Sequence, residues 1–367
     1  MGETIRFRNE CPILSVNVGI VGAGIISDIR ARGYLSHPSA KIIAVCDIDE
    51  TRAEAKARKW GTKKHYTDYR KMIRDEEINT IEILLPHALH ASVAIEAMKN
   101  GKNVIVQKPM AMSVKQADEM IRAAEENGVK LGVCENYIRY PPIEKAAELI
   151  SRGEIGTPVI IRIEKVAGVG GPEEWKEPND PSDWRQQKNL HGGYIYDEIV
   201  HHSAVSTLLM GADVESVSAT FENIDKADER PGVVSWKHVG GNKYGSLTYS
   251  FGKSKTRIPI MTNYYPVHEG YEVVGDRGIL WITRCTGQLL NQPALMMFRD
   301  GSLSSWEDIE MDWGISFIRD VHNFVDDVIN DRRPRMSGLD GKKHIKFAWA
   351  VYKAAETNRT VRLDEIN

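Results

Sequence analysis

The sequence predicts an α/β protein in two parts: an N-terminal doubly wound parallel sheet of the Rossmann type and a C-terminal α+β domain with a large, mostly antiparallel sheet. The length of 367 residues is typical of two domains. Up to residue 135, short apolar runs alternate with amphipathic stretches, as in parallel strands joined by crossover helices. Beyond it, apolar and polar residues alternate, which favours antiparallel strands. We expect the two domains to cover residues 1–138 and 139–367.

The elements of the first part follow from this alternation. Apolar runs predict strands at Val16–Val21, Lys41–Asp47, Thr80–Leu85, Asn103–Val106 and Lys130–Cys134. Amphipathic stretches between them predict helices at Ile26–Leu35, Thr51–Trp60, His90–Lys99 and Val114–Glu126. Asn-Gly pairs close the last two helices, since glycine adopts the left-handed conformation that ends a helix.

The second part begins with a helix after Pro141-Pro142. Alternating segments then predict strands at Ser216–Glu222, Val233–Val239, Gly245–Phe251 and Glu272–Ile282. A stretch between Gly168 and Gly193 lacks periodicity and is long enough to be a functional loop. Two helices, at about Phe317–Asn330 and Leu339–Glu356, close the chain.

Composition excludes several classes of protein. Hydrophobic residues make up 42% and charged residues 27%, as in a folded globular protein. A net charge of −3 offers no basic surface for nucleic acid. The start of the chain is polar and no apolar run approaches the length of a membrane span, so we expect neither secretion nor membrane insertion. The four cysteines are widely separated, which fits a reducing cytoplasm.

A glycine turn follows the first strand, with the sequence Gly22-Ala23-Gly24-Ile25-Ile26-Ser27. Its glycines allow a tight turn and close approach to a pyrophosphate at a helix N terminus. Asp47 ends the second strand, at the spacing from the glycine turn that is usual in dinucleotide-binding proteins. Its carboxylate would bind an adenosine ribose and repel a 2′-phosphate. The pattern therefore predicts NAD and disfavours NADP. Arg52 would soften that preference if it reached a phosphate, and a glycine turn that binds nothing is the alternative.

Lys108 comes directly after the fourth predicted strand, where strand ends face a ligand crevice. A lysine there can lie beside a nicotinamide and donate to a substrate oxygen. By itself, a Lys-Pro turn is equally compatible with an ordinary surface loop. His87 and His90 have no third ligand at a recognisable spacing, so no metal site is predicted.

Two acid–histidine pairs lie on one predicted helix. Asp197 and His201 are four residues apart and share a face, where the carboxylate can orient the imidazole and raise its basicity. Glu198 and His202 repeat the spacing about 100° round the helix, so geometry does not choose between the pairs. A structural ion pair is the alternative for either.

Together these motifs resemble the Gfo/Idh/MocA family, named after glucose–fructose oxidoreductase, inositol dehydrogenase and a rhizopine-catabolism protein, over nearly the whole chain. The resemblance is carried by the glycine turn, Asp47, Pro86 with His90, Lys108-Pro109, Gly192-Gly193 with Asp197 and His201, and Glu272-Val273-Val274-Gly275 with Gly278. It implies a dinucleotide-binding N-terminal domain and an open-faced C-terminal sheet domain that binds substrate. It also implies a homodimer or homotetramer formed through that sheet, and a cis Lys108–Pro109 bond.

Site residues follow from the resemblance position by position. The family spacing from Gly192-Gly193 selects Asp197 and His201, with Lys108, as the catalytic residues. The resemblance implies that the cofactor is bound by Gly22, Gly24, Ile25, Ile26, Asp47, Ile48, Arg52, Pro86, His87, His90, Gln107, Lys108, Trp184 and Arg185. It implies that the substrate contacts Lys108, Asp197 and His201. Tyr137 and Arg139, and as further pocket residues Trp184, Arg185 and His268, are polar or aromatic, which suits a hydroxylated substrate, and packing within loops is the alternative for them. Three positions depart from the family pattern, namely Gln107, His87 and Ser27.

The expected function is NAD-dependent oxidation or reduction of a carbohydrate-like alcohol in the cytoplasm. His201 would take the hydroxyl proton, Lys108 would polarise the oxygen and Asp197 would steer His201. One alternative is an NAD-dependent glycosidase or lyase that oxidises its substrate transiently and shows no net NADH. Another is a dinucleotide-binding regulator without turnover, which would have no need of a proton relay.

Overall fold

The structure, a computed structural model, describes residues 15–168, 187, 189, 192–222, 231–252, 267–284 and 291–367. Its first sheet has six strands: β1 (Val16–Val21), β2 (Ala40–Cys46), β3 (Lys64–Tyr66), β4 (Thr80–Ile83), β5 (Asn103–Gln107) and β6 (Leu131–Cys134). They are parallel, in the order β3-β2-β1-β4-β5-β6. The order reverses between β1 and β4, which opens a crevice at the carboxyl ends of the strands. The predicted doubly wound sheet is confirmed.

The sequence missed one strand of this sheet. β3 has three residues, all half-buried, so it is too short to show an apolar run or an alternation. The predicted helices are present as α1 (Ile25–Ser36), α2 (Glu50–Trp60), α4 (His90–Lys99) and α5 (Val114–Asn127), with the short α3 (Tyr69–Ile73) added. The residues that flank these helices explain where they begin and end. For α2, Asp49 accepts from the N–H of Arg52, and Gly61 closes the helix in the left-handed conformation.

The second sheet has nine strands in the order β14-β13-β12-β11-β7-β10-β9-β8-β15. Its strands are β7 (Pro158–Gly168), β8 (Val214–Phe221), β9 (Gly232–His238), β10 (Tyr244–Gly252), β11 (Val267–Gly275), β12 (Gly278–Arg284), β13 (Leu295–Arg299), β14 (Ser302–Trp306) and β15 (Val361–Arg362). β7 and β10 are parallel and the other neighbours antiparallel, so the prediction of a mostly antiparallel sheet is confirmed.

One predicted strand is wrong. The segment Glu272–Ile282 is not continuous, because the chain turns at Asp276 and Arg277 and pairs β11 with β12 as a hairpin. Apolar residues alternate on both sides of this two-residue turn, so the sequence pattern does not show the break. The helices of this part are α6 (Pro141–Ser151), α7 (Tyr194–Met210), α8 (Trp313–Ile329) and α9 (Gly338–Thr357). The domain boundary at residue 138 stays a prediction.

α8 packs against the first sheet, although it follows the second sheet in the chain. Gly33 on α1 allows this approach, since a Cβ there would lie 2.5 Å from the Cβ of Val321. Beside this contact, the fully buried Arg30 bridges the two parts. Its Nε lies 2.5 Å from Glu82 Oε1 on β4, and its Nη1 lies 2.5 Å from Asp320 Oδ2 on α8.

Within the described ranges, no helix combines the length and apolar character needed to cross a membrane.

Arg30→Met is expected to destabilise the protein by about 3–5 kcal/mol, because it leaves buried carboxylates without their partner. The free energy of unfolding from urea denaturation measures this loss. Arg58→Met is the matched control, since Arg58 is 76% exposed and pairs with Glu54 on α2. Its unfolding midpoint should stay close to that of the wild type. Equal midpoints for the two variants would contradict a stabilising role of the buried bridge.

Candidate active site

The glycine turn leads from the carboxyl end of β1 into α1. Gly22 has a φ of +102°, and a Cβ there would lie 2.2 Å from the carbonyl oxygen of Leu84, so a side chain does not fit. Gly24 is the N-cap of α1, and a Cβ on it would meet no atom within 4 Å. The turn is closed towards the sheet and open on its outer side. A phosphate group fits there, since the first N–H groups of a helix attract an anion.

The Asp47 carboxylate lies beside this turn. Its Oδ2 accepts from the N–H of Ala23 at 2.9 Å, and Arg52 Nη1 lies 3.5 Å from its Oδ1. Near them on the surface are apolar side chains that could cover a bound ring, namely Ile25 (48% exposed) and Ile48 (94% exposed), with Ile26 half-buried. The arrangement can hold the ribose end of a dinucleotide.

Pro86 and His87 follow β4 at the same edge of the sheet, and His90 begins α4. His87 is buried, with its Nε2 3.3 Å from Asp197 Oδ1. The predicted cofactor contact of His90 stays a prediction. His90 is fully buried, and its two ring nitrogens lie 2.8 Å from the carbonyl oxygens of Leu85 and Pro109. The neutral ring donates to one of these two carbonyl groups, and His90 contacts the segments after both β4 and β5. Burial lowers the pKa of His90 to about 3.

Lys108 reaches across to the helix that carries the predicted acid–histidine pairs. The Lys108–Pro109 bond is cis, as the resemblance implies. Lys108 Nζ donates to Asp197 Oδ1 at 2.8 Å and to the Asp197 carbonyl oxygen at 3.0 Å. Gln107, at the end of β5, accepts from the backbone N–H of Lys108 at 2.9 Å. The structure thus brings Lys108 and Asp197 together from positions far apart in the sequence.

His201 has a different partner from the one the sequence predicts. Its Nδ1 lies 2.6 Å from Oε1 of Glu135, the residue directly after β6, whereas the Asp197 carboxylate contacts Lys108 and His87. Asp197 acts on His201 as a nearby negative charge. Tyr137 stacks on the imidazole with ring centroids 3.9 Å apart. Burial, together with the positive charge of Lys108, holds the pKa of His201 well below its usual range.

Sequence analysis missed Glu135, although a signal for it was present. It follows a strand of the parallel sheet at the carboxyl end, the same criterion that selected Lys108. Glu135 is 2% exposed, and burial raises its pKa to about 8 against the lowering effect of Lys108. A buried carboxyl group with so perturbed a pKa, next to a buried imidazole, is typical of a functional site.

Glu198 does not pair with His202, despite their helical spacing. Its carboxylate forms a close ion pair with Lys165 on β7, and Lys165 Nζ also lies 3.0 Å from the hydroxyl of Tyr137. Lys165 is only 2% exposed, so this pair lies beneath α7 on the covered face of the second sheet. Tyr137 therefore connects it to His201, against which the ring stacks.

His202 belongs to the same covered face. It is fully buried, and its Nδ1 lies 3.5 Å from Oε1 of Glu269 on β11. Arg284 Nε approaches the other oxygen of Glu269 at 3.0 Å, and the hydroxyl of Tyr271 donates to Oε1 at 2.7 Å. Burial lowers the pKa of His202 to about 4. The two neighbouring histidines of α7 therefore have separate surroundings.

The remaining predicted residues fall elsewhere. Arg139 is buried, and its charged neighbours are Asp320, Glu144, Asp327 and Arg335 rather than Lys108 and His201, so the structure turns it towards α8. His268 is on the face of β11 opposite Glu269, because neighbouring strand residues point to opposite faces. Its Nε2 lies 3.1 Å from Glu164 on that open face. Trp184 and Arg185 lie outside the described residues.

The chemistry of the site is that of proton transfer beside a fixed positive charge. Lys108 can stabilise a developing alkoxide, and the Glu135–His201 pair can hold a proton. In the part of the chain that the structure describes, no group of three or more His, Cys, Asp or Glu side chains is arranged to hold a metal ion.

Comparison with protein families gives two matches. Residues 16–135 match the model of an oxidoreductase family with an NAD-binding Rossmann fold. Residues 147–363 match the C-terminal alpha/beta domain of the same family. Together these matches cover almost all of the described chain.

Individual relatives agree with the family match. Myo-inositol 2-dehydrogenase of Thermotoga maritima is 23% identical over 359 residues, which are 96% of this chain and 99% of that protein. Levoglucosan dehydrogenase of Pseudarthrobacter phenanthrenivorans is 31% identical over 217 residues, which are 56% of this chain and 54% of that protein. A solved structure of levoglucosan dehydrogenase with NADH and levoglucosan has a TM-score of 0.81 at 20% identity, covering 95% of this chain and 99% of that one. The last likeness shows the shared fold.

Proposed function

The chain belongs to the Gfo/Idh/MocA family of oxidoreductases, and from this premise we propose that it oxidises a hydroxyl group of a sugar, polyol or sugar derivative with NAD. One observation carries the proposal: Lys108 and the helix of Asp197 and His201 meet at the carboxyl ends of the parallel strands, the edge where the glycine turn is open. In a doubly wound sheet, this edge is where a dinucleotide and its substrate bind.

His201 takes the proton of the substrate hydroxyl, and Lys108 stabilises the negative charge that develops on the oxygen. When bound, the nicotinamide supplies the acceptor for the hydride that leaves the same carbon. Overall, the alcohol becomes a carbonyl compound, NAD becomes NADH, and one proton is released. Asp197 holds Lys108 in place at 2.8 Å, and reduction uses the same groups in reverse.

The substrate class is supported by the relatives, one of which acts on inositol and another on levoglucosan. Purified protein with NAD should produce NADH in the presence of at least one member of a panel of cyclic polyols, anhydrosugars, aldoses and uronates. A glycosidase or lyase would instead release product without net NADH. Binding of NADH without turnover of any panel member would favour a regulator. Either result contradicts the proposed dehydrogenase.

We also propose a cytoplasmic homodimer or homotetramer formed through the open face of the second sheet. Exposed apolar side chains on the strands of that sheet support this surface, namely Val233, Tyr244, Phe298 and Leu303. Among the described residues, Cys46 and Cys134 are buried free thiols, which is compatible with a reducing compartment. Sedimentation equilibrium of the full chain distinguishes the oligomers from a monomer.

Cofactor choice should follow Asp47. NADH should bind at least about tenfold more tightly than NADPH, because a carboxylate beside a 2′-phosphate adds like-charge repulsion. Asp47→Asn keeps an acceptor for the N–H of Ala23 but removes the charge, so it should narrow the ratio of the dissociation constants. Fluorescence titration with NADH and with NADPH measures the two dissociation constants. Arg52→Met is the control, because it removes the neighbouring positive charge and keeps the Asp47 carboxylate. Equal affinities in the wild type would contradict the NAD preference.

The two histidines of α7 should differ in their contribution to catalysis. His201→Ala is expected to lower kcat by about 10²–10⁴-fold, the usual contribution of a positioned proton acceptor, while NADH still binds. His202→Ala is the matched control and should have a much smaller effect on kcat, because His202 faces Glu269 and not Glu135. Steady-state kinetics and NADH titration provide both readouts. Comparable losses of kcat in the two variants would contradict the assignment of His201.

A further inference from the structure

We propose that Glu135 is a positioning residue that holds the His201 proton on Nδ1 and shares one titrating proton with the imidazole, so that Nε2 becomes a base only when the pair has lost that proton. The catalytic consequence rests on the proposed function. The pairing itself rests on the contacts of Glu135 alone.

Geometry fixes both members of the pair. Glu135 Oε1 lies 2.6 Å from His201 Nδ1 and accepts from the N–H of Tyr137 at 3.1 Å. The N–H of Glu135 donates to Asp320 Oδ1 at 3.4 Å. His201 is held from the other side by the stacked ring of Tyr137. The two side chains are 2% and 4% exposed, so bulk water does not compete for this hydrogen bond.

Charged groups from three other segments act on Glu135. Lys108 after β5 favours the carboxylate, whereas Asp320 on α8 and Glu198 on α7 oppose it. His344 on α9 borders the same small cavity as Glu135 and Lys108, where the other lining residues are apolar. Burial is the largest effect, and with these charges it raises the pKa of Glu135 to about 8.

The surroundings of His201 lower its pKa, whereas those of Glu135 raise the pKa of the carboxyl group. Burial disfavours the imidazolium ion, and Lys108, Lys165 on β7 and His202 add to this effect, whereas Asp197 opposes it. In the singly protonated pair, a proton held between Oε1 and Nδ1 gives either a carboxyl group beside a ring with hydrogen on Nε2, or a carboxylate beside a ring with hydrogen on both nitrogens. Neither form offers Nε2 as a proton acceptor. Loss of the shared proton leaves a carboxylate that accepts from Nδ1–H and a free lone pair on Nε2.

The sign of the pH dependence follows from this count of protons. Oxidation of the alcohol should rise with pH as the pair loses its proton, near the raised pKa of Glu135 at about 8. In Glu135→Gln the carboxyl group no longer titrates. The rise then follows His201 alone, whose pKa is depressed, so it should move down by more than one pH unit. A merely structural role of Glu135 would lower the rate without moving the midpoint.

Nitrogen-15 NMR of the full chain with labelled histidine tests the pairing without any substrate. His201→Gln identifies the His201 signals. The wild type should show the Nδ1–H tautomer on the alkaline side of a transition near pH 8, and Glu135→Gln should lack that transition. Glu269→Gln is the matched control, since Glu269 faces His202, and it should leave the His201 signals in place. An Nε2–H tautomer at alkaline pH in the wild type, or an unchanged His201 titration in Glu135→Gln, would overturn the proposal. The wild-type tautomer decides the question even if Glu135→Gln does not fold.

Kinetics with a substrate from the panel completes the test. With myo-inositol or levoglucosan as the probe, the acid limb of kcat/KM should shift to lower pH in Glu135→Gln and stay in Glu269→Gln. If NMR shows the Nδ1–H tautomer but no panel member yields NADH, the Glu135–His201 pair stands and the proposed dehydrogenase is rejected. If a substrate is turned over but the acid limb of kcat/KM does not shift in Glu135→Gln, the dehydrogenase stands and the role of the pair is rejected.

Discussion

The buried Arg30 is the interaction on which the rest of the structure depends. Its guanidinium joins β4 through Glu82 and α8 through Asp320, with no exposed surface of its own. A buried charge is tolerated only when it is paired, so the contact strongly favours one position of α8 on the first sheet. Asp320 also accepts from the N–H of Glu135, which faces His201. The bridge between the two parts therefore extends, bond by bond, to the candidate active site.

The charges of the site determine one another. Lys108 contacts Asp197, favours ionisation of Glu135 and disfavours protonation of His201. Because these groups interact strongly, the protons they gain or lose belong to the set and not to single residues. A fixed cation beside a proton acceptor suits the oxidation of an alcohol, in which an alkoxide-like charge develops as the proton leaves. The same set would donate a proton during reduction.

Tyr137 separates two layers of buried polar residues. On one side its ring stacks on His201, and on the other its hydroxyl lies 3.0 Å from Lys165, which pairs with Glu198. The layer beneath it pairs Lys165 with Glu198 and Arg284 with Glu269 on the covered face of the second sheet. This division gives two consecutive histidines different surroundings. One faces the crevice of the first sheet, and the other faces the interior of the second.

The sequence by itself determined the strands of the first sheet other than β3, the glycine turn and Lys108, because buried parallel strands form apolar runs and their ends can be located by counting. The partner of His201 was decided only by tertiary structure. Helical spacing compares residues within one helix, so the acid that its four-residue interval offered His201 was Asp197, whereas Glu135 comes from another element. The surroundings of His90 were likewise decided by tertiary structure, since the carbonyl groups beside its ring come together only once β4 and β5 lie side by side. Contacts between elements distant in the sequence leave no periodic trace, so only the folded chain shows them.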